Sequence, residues 1–202
     1  MNIGILALQG SFREHAESLS RLEVEPVLVR LPEQLEGLHG LIIPGGESTT
    51  IGKLLRDYGF QQKLKDLGCA GFPIYGTCAG LILLARKISG GDQSVLGLMD
   101  IRVRRNAFGR QLDSFETDLF IPAIGRKPFR AIFIRAPWID RVGAGVRVLT
   151  KLGDGAIVAA EQGNLLVSAF HPELTDDPRF HRYFLKKVEL FRGRASRLAV
   201  SF

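Results

Sequence analysis

The sequence predicts a three-layer α/β sandwich, in which a mostly parallel central sheet carries helices on both faces and gains further strands in the second half of the chain. Three observations lead there. Short apolar runs of strand length alternate with stretches of helical periodicity, the links between them are short, and from about Val95 the helical spacing gives way to closely spaced strand-like runs. Parallel neighbours can be joined only by a crossover over the sheet face, so this alternation implies helices covering both faces.

Ile3 to Leu8 is an apolar run suited to a buried strand, and it ends at a Gln9-Gly10 turn. Ser11 and Glu14 then have the S-x-x-E spacing of a capping box, and Phe12, Ala16 and Leu19 recur at helical spacing behind it. Pro26 to Val29 and Gly40 to Ile43 are the second and third strands, and Ile51, Leu54 and Leu55 mark a helix beginning near Ser48. Phe72 to Tyr75 is the fourth strand, with CAGLILLAR continuing as a helix. The added strands are expected at Val95 to Val103, Phe115 to Ile121, Phe129 to Ile134, Val146 to Leu149, Ala156 to Ala160 and Asn164 to Ser168, several joined by turns such as Gly153-Asp154-Gly155. No linker, repeat or low-complexity segment interrupts the chain, so residues 1–202 read as a single domain.

With 202 residues, 46% of them hydrophobic and 24% charged, the chain can build a full core. A domain of this size buries roughly 70% of the surface its unfolded chain exposes, without help from disulfides or a structural metal. A disordered or disulfide-stapled protein is excluded. The longest apolar runs, such as Leu81 to Ala85, fall far short of the ~18 residues of a membrane span, and Met1 leads into NIGILALQG with no basic leader. A cytoplasmic protein without membrane contact is expected. Cys69 and Cys78 lie in different local contexts, and no disulfide is expected between them. Of 27 Lys and Arg against 21 Asp and Glu, seven basic residues and one acid lie from Arg179 onward, so the body before it is neutral. The excess belongs to one C-terminal helix and a basic tail from about Arg192. No nucleic-acid module signature accompanies it, and a solvated or protein-docking face is expected, with no nucleic-acid partner.

The sharpest chemical signal is PIYGTCAGLILLA, which sets Cys78 between Gly76 and Gly80 at a strand-to-helix junction. This G-x-C-x-G pattern matches a nucleophile elbow, where glycines permit a tight turn and the helix start aims free N–H groups at the sulfur. A small buried apolar cysteine is the alternative reading. SAFHPEL supplies a base in His171 and, two residues on, Glu173, which in an extended segment would face the same side and hold the far imidazole nitrogen. Alone, that motif could equally be a His-Pro turn with a solvated Glu. His15, His39 and His181 lack such company and read as structural or surface residues. In LIIPGGESTT a strand ends in Pro44-Gly45-Gly46 before a helix, so backbone N–H groups there and at Ala79 could form an oxyanion hole. It is not a phosphate loop, because a Walker motif ending at Gly52-Lys53 needs Gly at 47 and Ser or Thr at 54, where the chain has Glu47 and Leu54. No Cys or His spacing suggests a metal site.

PGGEST, YGTCAGLILLA, RRNAFGRQLDSFE, FIRAP and SAFHPELT stand together in an order that resembles the class I (triad) glutamine amidotransferases, and within them the glutaminase subunits of pyridoxal 5'-phosphate synthase. The likeness spans about residues 2 to 190 and implies a flavodoxin-like fold. It implies that Cys78 attacks the side-chain amide of L-glutamine, that His171 moves the proton, and that Glu173 orients His171. Gly46, Glu47 and Ser48 would bind glutamine, Gly46 and Ala79 would form the oxyanion hole, and Arg105 with Ile134 and Arg135 would hold the amino-acid end. Ammonia would pass to a synthase subunit, a barrel protein in a hetero-oligomer. Pyridoxal 5'-phosphate would be the product of that complex, and no cofactor is expected here. The resemblance also suggests that hydrolysis waits for the partner. The Gly45-Gly46 peptide is the candidate switch, and the Gln9-Gly10 turn with the Ser11 to Arg21 helix the candidate docking edge. A stand-alone hydrolase or a non-catalytic module of the same fold remains the competing expectation.

Overall fold

The computed structural model describes residues 1–90, 96–105 and 114–199, with side chains through residue 194. The parallel half of the main sheet has the order β2 (Pro26–Val29), β1 (Ile3–Leu6), β3 (Gly40–Ile43), β4 (Ile74–Thr77) and β12 (Leu165–Ser168). Beyond β12 the sheet runs antiparallel through β11 (Ile157–Gln162), β9 (Trp138–Val142) and β6 (Met99–Arg104). There β5 (Ala85–Ser89) pairs parallel to β6, and β10 (Arg147–Lys151) also pairs with β11. A separate ribbon joins β7 (Ser114–Leu119) to β8 (Phe129–Ile134). The helices are α1 (Phe12–Ser20), α2 (Ser48–Asp57), α3 (Phe60–Cys69), α4 (Ala79–Leu84) and α5 (Arg179–Ala199).

Strand alternation distributes the helices between two faces. Tyr75 in β4 packs against Phe180 and Phe184 of α5 and lies edge-on to His15 of α1. Gly76, the next residue, points the other way, where an added Cβ would run into the Gly80 backbone of α4. Gly40 in β3 has Val188 and Phe184 of α5 above it, so α5 lies directly on β3 and β4. An aromatic cluster ties this face to the ribbon: Phe170 has Phe129, Phe133 and Phe180 within 5.2–5.8 Å between ring centroids, all in tilted or edge-on geometry. These rings are fully buried, and they fix the residue directly before His171.

Several boundaries differ from the sequence expectation for identifiable reasons. The helix expected over CAGLILLAR stops at Leu84 and the chain turns at once into β5, so Ala85 and Arg86 are strand. All six residues of α4 are buried, and an element that is apolar all round has no periodicity to mark its end. Helix α3 was not expected because only Phe60 and Leu64 are buried in it, and strand β9 because its single buried residue is Ile139. The added strands begin already at β5, whereas the strand expected from Val95 starts at Met99 as β6, with Val95 itself outside the described residues. The S-x-x-E capping box is not formed: Ser11 sits at the N-cap of α1 with no side-chain cap. Its hydroxyl is engaged elsewhere. The basic tail expected from Arg192 continues α5 as helix through Ala199. Two of its cations are tied down within the fold, Arg179 by Asp177 and Lys187 by Glu161.

Candidate active site

Strands β1, β3, β4 and β12 are adjacent and parallel, so the segments that follow them emerge at one edge of the sheet. Those segments contribute Gln9-Gly10-Ser11, Gly45 to Ser48, Cys78-Ala79, His171 and Leu174. Together with Ile82, Arg105, Ile134 and Arg135 they line one cleft of about 400 Å³. Every expected glutamine-contacting position lies on this cleft, whereas residues 106–113 of the RRNAFGRQLDSFE segment lie outside the described residues.

Cys78 has φ 47° and ψ −96°, a left-handed backbone in a residue with a side chain. The elbow's strain therefore falls on the cysteine itself. The glycines serve a different purpose from the turn expected of them: Gly76 and Gly80 have no positive φ, but an added Cβ on Gly80 would strike the Ile43 carbonyl and one on Gly76 would strike Gly80. They allow α4 to sit against β3 and β4 without a gap. The Cys78 N–H donates to Ser168 O at 2.8 Å, fixing the elbow to β12. Since α4 is only six residues long, its effect on the sulfur is local, through the unpaired N–H groups of its first turn rather than a long summed dipole.

His171 is held by its own N–H, which donates to Ile132 O in β8 at 2.8 Å, and its Nδ1 lies 2.7 Å from Glu173 Oε1. The segment between them is not extended as expected. Pro172–Leu174 is a single 3₁₀ turn, and its tight winding returns Glu173 beneath the imidazole. Burial opposes charge on the His171 ring, but hydrogen bonds to the Cys78 sulfur and Glu173, with the charge of each, raise it to about 10. Burial would likewise push the Glu173 carboxyl up. The electrostatic pull of the neighbouring His15 and His171, and hydrogen bonds from His171 and Ser11, outweigh it and bring Glu173 to about 2.

Around the sulfur, the Ile134 carbonyl faces Cys78 Sγ at 4.0 Å, and Arg135 beside it has φ 42°. Two of the three described non-glycine residues with positive φ, Cys78 and Arg135, thus line this cleft. Gly45 O accepts the Ser11 N–H at 3.0 Å, and Glu47 N–H donates to Gln9 Oε1 at 2.8 Å. These contacts fasten the Gly-Gly turn to the end of β1. An added Cβ on Gly45 would overlap the His171 ring, so the glycine makes room for the imidazole. Ser48 is buried at the start of α2, while Glu47 and Arg135 are exposed.

The sequence reading missed four groups. Gln9 braces the turn, and Ser11 Oγ donates to Glu173 Oε1 at 2.7 Å. His15 and His181, read as structural or surface residues, are fully buried, with His15 Nε2 3.5 Å from Glu173 Oε2. The available signals were the helical i, i+4 spacing of Ser11 and His15, and the place of His181 among Phe180, Phe184 and Leu185 on the apolar face of α5. His39 lies apart and accepts the Asn2 N–H. Cys69 is exposed at the end of α3, and both cysteines are free. Among the described residues no group of three ligating side chains could hold a metal ion, and no helix is long and apolar enough to cross a membrane.

Comparison with known proteins places the chain in a family. The model of the SNO glutamine amidotransferase family matches residues 5–190. The chain is 60% identical over 187 residues to the pyridoxal 5'-phosphate synthase subunit PdxT of Pelotomaculum thermopropionicum, covering 93% of this chain and 95% of that one. It is 58% identical over 188 residues to PdxT of Carboxydothermus hydrogenoformans, covering 93% and 98%. A crystal structure of a glutamine amidotransferase superposes with a TM-score of 0.88 at 53% identity, over 93% of this chain and 98% of the other. The structure of PurLQS from Thermotoga maritima matches with a TM-score of 0.70 at 16% identity, over 92% and 97%, a likeness of fold alone. With an elbow cysteine, a buried His-Glu pair and a family match across almost its whole length, this chain belongs to the SNO glutamine amidotransferase family.

Proposed function

We propose that the chain hydrolyses L-glutamine to L-glutamate and ammonia at this cleft and passes the ammonia to the synthase subunit of pyridoxal 5'-phosphate synthase, a barrel protein with which it forms a hetero-oligomer in the cytoplasm. Residues 1–202 act as one glutaminase domain. The observation that carries the reading is the left-handed Cys78 at the mouth of the sheet with a buried, hydrogen-bonded His171–Glu173 pair behind it.

Cys78 Sγ, its proton already held by the raised His171, attacks the side-chain carbonyl carbon of glutamine. The imidazolium then protonates the departing nitrogen, releasing ammonia and leaving a γ-glutamyl thioester. His171 next takes a proton from water, whose oxygen attacks the thioester and frees glutamate and the thiol. Glu173 keeps Nδ1 protonated so that Nε2 serves the sulfur, the orienting role of a triad's third member. The negative oxygen of each tetrahedral intermediate would meet the N–H groups of Gly46 and Ala79. Ala79 opens α4 and its N–H has no acceptor within the helix. At the other donor, the Ser11 N–H holds Gly45 O, so the trans peptide turns the Gly46 N–H to the opposite side. Glu47 and Ser48 would contact the substrate amide end, and Arg105, Ile134 and Arg135 the amino-acid end, where a guanidinium suits a carboxylate.

Glutamate release, measured with and without the synthase subunit, tests the proposal. Cys78→Ala should abolish it. Glutamate release that survives Cys78→Ala refutes the assignment.

A further inference from the structure

Behind the triad lies a second chain of buried polar groups that glutamine hydrolysis does not use. Glu173 Oε1 accepts from both His171 and Ser11, but Oε2 is buried with no hydrogen-bond partner among the described residues. The near polar group is His15 Nε2, 3.5 Å from Oε2 and 3.1 Å from Thr77 Oγ1. His15 Nδ1 in turn lies 2.9 Å from His181 Nε2, and His181 Nδ1 is buried without a partner among the described residues.

These contacts fix the protons. A hydrogen on His181 Nδ1 would be a buried donor with nothing to receive it, so the ring carries its proton on Nε2 and donates to His15 Nδ1. His15 then carries its own proton on Nε2, aimed at Thr77 Oγ1 and Glu173 Oε2. Burial holds both rings below the usual histidine range, His181 at about 3, so each is neutral near pH 7. A run of two neutral imidazoles therefore ends on the carboxylate oxygen that the triad leaves open.

We propose that His15, set by His181, is a positioning residue for the triad: its Nε2–H, hydrogen-bonded to Thr77 Oγ1, turns its positive edge toward Glu173 Oε2 at 3.5 Å and so biases the rotation of the carboxylate that presents Oε1 to His171. The start of α1 thus faces both oxygens of Glu173, Ser11 by a hydrogen bond to Oε1 and His15 by a 3.5 Å approach to Oε2, and α5 supplies the support through His181. The inference rests on the glutaminase reading of the cleft.

The test measures glutamate release by the complex with the synthase subunit for wild type, Cys78→Ala, His15→Leu, His15→Gln, Glu173→Gln and the His15→Leu, Glu173→Gln pair. His15→Leu should lower kcat about 10- to 100-fold, as loss of an outer hydrogen-bond partner does at metal-bound imidazoles, with KM changed less than about threefold. His15→Gln, whose side-chain NH₂ can replace the Nε2–H, should recover most of the rate. In the Glu173→Gln background His15→Leu should cost nothing further, because the partner it positions is already altered. A folded His15→Leu with wild-type kcat, or an equal loss in both backgrounds, overturns the proposal. If His15→Leu does not fold, ¹⁵N NMR of the wild-type imidazoles decides, with His15 and His181 both protonated on Nε2 as the expected result and a proton on His15 Nδ1 as the overturning one. Failure of wild type to release glutamate would strike the glutaminase reading instead, and the imidazole tautomers would still judge the relay.

Discussion

Cys78 and Cys69 carry the same group in opposite settings, one buried at a strained elbow beside His171 and the other exposed at the end of α3. Cys69→Ala should therefore keep nearly full glutaminase activity, while Cys78→Ala and His171→Asn should each lose on the order of 10⁴-fold or more in kcat, since members of a triad act as a unit. Glu173→Gln should cost about 10- to 100-fold less than either, and near-normal turnover in that variant would remove Glu173 from the mechanism. The same residues set a pH dependence of stability. His171 is raised in the fold from 6.5 to about 10, so its contribution is complete below pH 6.5 and drains away as the pH rises toward 10. Glu173 is lowered from 4.5 to about 2, so its contribution is present above pH 4.5 and is lost as the pH falls toward 2. Melting temperatures across pH should show the alkaline arm flattened in His171→Asn and the acid arm flattened in Glu173→Gln. Unchanged arms in both variants would contradict the buried ion pair.

At the scale of elements, the elbow, the Gly-Gly turn and the His171 turn depend on close backbone approach. Gly45→Ala should displace the His171 ring and cut kcat by on the order of 100-fold, with a smaller effect on the melting temperature, because its Cβ meets the base and not the core. Phe170→Ala should do the reverse. It empties a fully buried site among Phe129, Phe133 and Phe180 and should cost about 3–5 kcal/mol in denaturant unfolding, with activity lost only as the fold is lost. The candidate switch belongs here too. Rotating the Gly45-Gly46 peptide would break the Ser11 N–H to Gly45 O bond, so any such rotation costs the start of α1 a hydrogen bond. A Cβ at Gly46 would press on the Gln9 side chain that braces the turn. Gly46→Ala should thus blunt activation by a partner more than it lowers the melting temperature.

For the molecule as a whole, the synthase subunit should raise turnover by on the order of 100-fold, the worth of one oxyanion donor, and full activity of the isolated chain would sink the gate while sparing the triad. The basic α5 should give no sequence-selective duplex complex at physiological salt, with Arg179 and Lys187 already paired inside the fold. The sequence by itself determined the alternation of strands and helices, the cysteine elbow and the His-Pro-Glu segment, because apolar periodicity and turn chemistry are local properties. It did not reveal where α4 ends, since six buried residues in a row have no polar side to count from. Nor did it separate a capping serine from one that reaches across to Glu173, 162 residues away in the chain. His15 and His181 are 166 residues apart and become neighbours only when α1 and α5 close over the same face of β4. Local chemistry singled out Cys78 and His171, and the tertiary structure alone decided what stands behind them, because a buried hydrogen-bond partner is selected by distance in space and leaves no spacing in the chain.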